Sequence, residues 1–114
     1  MILEICANSY QSAINAQVAG AHRIELCSEL SVGGVTPSPS LLKKVMGDIK
    51  IPVHVLIRPR SGNFLYSENE FEIMKETIRL CKDLHCAGIV SGVLHEDYTI
   101  DKKRTLELIE LAKP

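Results

Sequence analysis

Tryptophan is absent from this chain, and only two Phe and three Tyr stand among its 114 residues. So few rings give no row of stacking platforms for nucleic-acid bases. No excess of one charge exists either. Thirteen Lys and Arg against 14 Asp and Glu leave a formal net charge of -1, without the basic stripe that holds phosphate backbones or anionic membrane surfaces. No apolar run nears the ~18 residues a membrane-spanning helix needs. No secretory signal is read at the start, which opens directly into strand-like sequence. The four cysteines, Cys6, Cys27, Cys81 and Cys86, are therefore expected as reduced thiols of a cytoplasmic protein rather than a disulfide framework. Also missing after the first strand is the G-x-G-x-x-G fingerprint, which argues against a dinucleotide fold.

What is present is a strict alternation. Strand-like runs at about 2–6, 23–27, 52–58 and 88–93 are separated by helical segments at about 9–19, 39–48, 68–84 and 102–112. Helix starts carry their own chemistry. Ser38-Pro39 supplies an N-cap oxygen and a proline at the first helical position, Ser67 to Glu70 reads as a capping box, and Asp101 can cap the last helix. Phe71, Met74, Ile78 and Cys81 follow helical spacing, so Cys81 is expected in an apolar stripe, with Cys86 at the following turn.

Alternating βα units with right-handed crossovers make a parallel sheet covered by helices. The loops after the second strand (Ser28 to Pro37, with Gly33-Gly34) and the third (Pro59 to Ser67) are long and polar. The helix-to-strand connections Gly20-Ala21 and Ile51-Pro52 are brief. That asymmetry belongs to a barrel whose site lies at the strand C-termini. The expected fold is α/β, of the parallel (β/α)8 TIM-barrel type, with residues 1–114 forming a single domain of about four βα units. Half a barrel leaves the first and fourth strands with open edges, so a homo-oligomer is expected.

One four-residue pattern occurs twice, Leu3-Glu4-Ile5-Cys6 and Ile24-Glu25-Leu26-Cys27. In a strand alternate residues share a face. Glu4 and Cys6 then point one way, as do Glu25 and Cys27, on a surface that a parallel sheet normally fills with Val and Ile. His54, Leu56 and Arg58 share the equivalent face of the third strand, and Arg60 follows in the loop. Glu4 and Glu25 with Arg58 are candidate catalytic groups, a carboxylate pair serving as general base beside an anion clamp. Arg58, Arg60 and Tyr66 are candidate binders of a small phosphorylated or carboxylated substrate. The other reading of the same charges is an ion-pair layer plugging the barrel, since buried opposite charges are tolerated when paired. His54 is expected near the barrel bottom, His22 and His85 in solvent. His95 with Glu96 and Asp97 could supply borderline or hard metal ligands.

The stretches LEICANSYQSAINAQVAGAHRIELCSELSVGGVTPS, IPVHVLIRPRSGNFLYS and GIVSGVLHEDYTID closely resemble the CutC copper-homeostasis family of (β/α)8 barrels, over essentially the whole chain. The I-R-P-R-x-G-x-F-x-Y-S run from Ile57 to Ser67 is the most specific part. The resemblance implies an amino-terminal half, the family continuing into a strand that carries a His-Arg pair. Ser91 stands where the family usually has a bulky aromatic, implying altered packing inside the barrel, and Asn63 where it usually has Asp. The family's name implies copper handling, and its proposed copper-binding cysteines match Cys6 and Cys27. Soft thiolates select Cu(I), and two suffice for a low-coordinate site if adjacent strands present them side by side. Whether such a protein is also an enzyme is left open, because a barrel fold hosts many activities.

Overall fold

The computed structural model describes all 114 residues. Four parallel strands, β1 (Glu4–Ala7), β2 (Arg23–Leu26), β3 (Val53–Leu56) and β4 (Gly88–Val90), lie in the order β1-β2-β3-β4. Each is followed by a helix: α1 (Tyr10–Val18), α2 (Pro39–Asp48), α3 (Glu68–Asp83) and α4 (Lys102–Ala112). The result is an open α/β sheet of four βα units. Sequential parallel pairing with helical crossovers is how a (β/α)8 wall is built.

Local chemistry sets the helix ends. The Ser67 hydroxyl accepts from the Glu70 N–H while the Glu70 carboxylate accepts from the Ser67 N–H. Ser38 and Asp101 accept from Leu41 and Arg104. A further capping box at Ser9 lacks the usual sequence signature, because Ser12 replaces the Glu or Gln. One face of the sheet packs against the helices. Ala7, Ile24, Leu26, Val53 and Val55 are buried there against Leu42, Val45, Phe71, Met74, Ile78 and Cys81. The α3 stripe thus forms as its spacing predicts. The other face carries Cys6, Glu25, His54 and Leu56, partly open to solvent.

Two strands are shorter than expected, and their neighbours explain it. Beyond Leu56 the Ile57 N–H still reaches the Val90 carbonyl, but the Arg58 N–H turns to the Thr36 hydroxyl at 2.8 Å. The Ile57 carbonyl is taken by the Ser91 hydroxyl at 3.0 Å, so β4 stops at Val90 rather than 93. Ser91 therefore terminates the ladder. It also borders a cavity of about 460 Å³ beneath α4, with Leu108 and Ile109.

Candidate functional site

The register of the sheet decides what the repeated motif builds. Glu4 pairs across from Arg23 and Cys6 from Glu25. The two copies are therefore offset by two residues along the strands instead of lying side by side. Closing a sheet into a barrel requires such stagger. Its effect is to bring unlike members of the motif together.

Three layers follow. In the deepest, the Glu4 carboxylate accepts from Arg23 Nε at 2.5 Å, with His54 Nδ1 at 3.9 Å. In the next, the Cys6 thiol donates to Glu25 Oε2 at 3.1 Å. That bond, with burial and the repulsion of Glu25, holds the Cys6 thiol at about 11 against its ordinary 9.0. Two residues beyond Glu25, Cys27 is 2% exposed, its sulfur 3.7 Å from the Ala7 carbonyl. Burial, then Glu25, pushes its pKa up as well.

Gly34 forms the roof over Cys27. Its φ of +91° is one a side chain rarely adopts, and a Cβ there would lie 3.1 Å from Leu56 and 3.6 Å from the Cys27 sulfur. Only glycine lets the backbone descend this far.

No hydrogen bond or ion pair joins Arg58 to Glu4 or Glu25. Strand β3 ends before Arg58, and its side chain rises into the loops, where unpaired carbonyls await. It donates through Nη1 to the carbonyls of Val32 (2.9 Å) and Gly34 (2.7 Å), and through Nη2 to Gly62 (2.8 Å). Its Nε is buried without a partner, and the Phe64 ring lies 5.3 Å away. Arg60 is similarly engaged. Its Nε meets Glu70 at 2.7 Å, and its Nη groups reach the carbonyls of Asn63 and Leu65. Its guanidinium lies 4.9 Å over the Tyr66 ring. Tyr66 is buried, its hydroxyl unpartnered and its pKa raised by desolvation. Asn63 Oδ1 accepts from the Leu65 N–H, a turn-forming contact that needs no acid. Next to this scaffold a cavity of about 510 Å³ is lined by Gly33, Leu56, Arg58, Phe64, Val90 and Leu94.

The remaining candidates lie apart. His95 approaches Asp101 at 3.8 Å on the α4 side. His22 accepts from the Leu3 N–H at 2.8 Å. No three His, Cys, Asp or Glu side chains are arranged to hold a metal ion.

The CutC family model matches residues 1–114. The chain belongs to the CutC family. It is 50% identical over 113 residues to the copper homeostasis protein cutC homolog of Homo sapiens, covering 99% of this chain and 41% of the human protein. It is 47% identical over 113 residues to a family protein CutC of Chromobacterium violaceum, covering 99% of this chain and 46% of that protein. The crystal structure of a CutC from Streptococcus agalactiae superposes with a TM-score of 0.88 at 36% identity, over 98% of this chain and 55% of that one. The chain thus spans less than half the length of the curated relatives. Arg23, paired with Glu4, and Gly34, over the Cys27 sulfur, border the candidate site, and pattern reading passed over both. Both had a trace in the sequence: Arg23 keeps the period of two with Glu25 and Cys27, and Gly34 belongs to a glycine pair just beyond β2.

Proposed function

We propose that this chain supplies the Cu(I)-binding thiols, Cys6 and Cys27, of a copper-homeostasis protein. The observation that carries this reading is the Cys6 thiol bonded to the Glu25 carboxylate, on the sheet face that also presents Cys27. A carboxylate beside a thiol stabilises a positive charge at the sulfur. A proton occupies that position at neutral pH, and a soft monovalent cation can replace it. The donor set fits this ion. Two soft thiolates suit low-coordinate Cu(I).

The chain's own residues then have defined parts. Glu25 holds the Cys6 proton until the ion displaces it, Arg23 neutralises Glu4 below, and Gly34 shields the Cys27 sulfur from water. Cys6, which is exposed, is the entry ligand, and the buried Cys27 is the second. Four free thiols suit a reducing compartment, which supports a cytoplasmic location. No helix is long and apolar enough to cross a membrane.

The test is anaerobic competition for Cu(I) against a chelator. Cys6→Ser and Cys27→Ser should each lower affinity steeply, because a protonated hydroxyl is a poor ligand for a soft ion. Cys81→Ser with Cys86→Ser should leave affinity unchanged. Equal affinity in Cys6→Ser and the parent sinks the proposal.

A further inference from the structure

The end of α3 holds the other two thiols in an arrangement that the apolar-stripe pattern does not reveal. The Cys86 N–H donates to the Cys81 carbonyl at 2.9 Å and the His85 N–H to that of Lys82 at 3.0 Å, with His85 at φ +61°. This is a Schellman motif, in which the two residues flanking the turn bring their side chains into contact. Here those residues are Cys81 and Cys86. The backbone bond, with standard bond lengths, caps their α-carbon separation at about 6.8 Å. Disulfides span ~4.4–6.8 Å. Both cysteines line one small cavity with Ile78, Gly88 and Ile89. Cys81 is buried and Cys86 half-buried.

We propose that Cys81 and Cys86 form a second thiol pair with a separate role, that of a reversible dithiol–disulfide couple oxidised by hydroperoxides. The pair lies at the N-terminal end of β4, whereas Cys6 and Cys27 lie toward the C-terminal ends of β1 and β2. The closeness of the two thiols perturbs both, raising the Cys81 pKa together with burial and lowering that of Cys86. Lys82 also lines the cavity, its positive charge opposing the negative end of the α3 dipole. Roles divide by access, since Cys86 is half-buried and Cys81 buried. The Cys86 thiolate, its proton lost to solvent, attacks the peroxide O–O bond, leaving a sulfenic acid on Cys86 and releasing an alcohol or water as solvent returns a proton to the departing oxygen. The Cys81 sulfur then attacks that sulfenic sulfur. An S–S bond forms, and water departs with the sulfenic oxygen and the Cys81 proton. Two electrons have passed from the thiols to the peroxide, and a small thiol reverses the reaction.

Cys6 stands apart from this pair, its thiol bonded to the Glu25 carboxylate. The experiment treats the reduced chain with hydrogen peroxide, alkylates the remaining thiols and maps tryptic peptides. Trypsin cuts after Arg79, Lys82 and Lys102, so the expected product is peptide 80–82 joined to peptide 83–102 and separated by dithiothreitol. Cys6 and Cys27 should remain alkylatable. Cys81→Ser should halt at a Cys86 sulfenic acid that dimedone traps. Oxidation of Cys6 or Cys27 while Cys81 and Cys86 stay reduced overturns the proposal, and the parent chain alone decides that point.

Discussion

Glu25→Gln removes one charge from the site and tests what holds the Cys6 proton. The thiol is held at about 11 against 9.0, and its bond to Glu25 is the largest cause, ahead of burial. With a neutral amide in place of the carboxylate, the midpoint should return toward 9. A full two-unit fall would raise the thiolate fraction at pH 8 about 100-fold, while the thiolate's intrinsic nucleophilicity would drop about tenfold, leaving a net gain near tenfold. Cys6 is exposed, and solvent screening trims such effects, so the expected gain is about three- to tenfold. Iodoacetamide alkylation of Cys6, followed by mass spectrometry from pH 7 to 11.5, reads both the rate and the midpoint. Stability should follow the same sign. Because the folded-state pKa is raised, the Cys6–Glu25 contact stabilises the fold below pH 9 and loses that contribution as pH rises through 9 to 11. Glu25→Gln should flatten this stretch of the profile. An unmoved midpoint would show that Glu25 does not hold the thiol proton.

Cu(I) binding should strengthen with pH, since both thiols start protonated and two protons leave. The chelator competition should show an apparent affinity gain approaching 100-fold per unit between pH 6 and 8, and a flat profile would remove the thiols as ligands. Arg58→Lys should cost about 2–4 kcal/mol in urea unfolding, because one ammonium cannot serve three carbonyls on two loops; an unchanged midpoint would mean the fork is dispensable. The 114-residue chain leaves one edge each of β1 and β4 unpaired, so it should sediment as a dimer or larger species. A cooperatively unfolding monomer would contradict the pull of those edges.

The parts of the fold legible in the sequence are those fixed within a few residues of chain. Ser38, Ser67 and Asp101 cap their helices as read, and Phe71, Met74, Ile78 and Cys81 form the buried stripe. The strand faces follow from a period of two, which placed Glu25, Cys27, His54 and Arg58 on one side. What the sequence concealed depends on distant partners. Nothing in Leu3-Glu4-Ile5-Cys6 encodes the two-residue stagger that sets Cys6 opposite Glu25, since register is set between strands and not within one. Arg58 lies beyond the end of β3 and is drawn to carbonyls whose positions depend on the conformations of two loops, so its alternation pattern could not give its partners. Cys81 and Cys86 meet through a non-glycine residue at a left-handed position, His85, where turn chemistry usually announces itself with Gly or Asn.

One guanidinium carries a kinetic consequence. Arg58 bonds Val32 and Gly34 in the loop after β2 and Gly62 in the loop after β3, and Gly34 roofs the Cys27 sulfur. Segments from two separate βα units thus hang on one side chain, and lifting the Gly34 roof costs the two bonds of Arg58 Nη1. Access to Cys27 is then expected to follow the opening of that roof. A reagent or ion in excess will wait on the gate, and its reaction with Cys27 will reach a plateau rate set by the protein's own opening while Cys6 continues to respond to concentration.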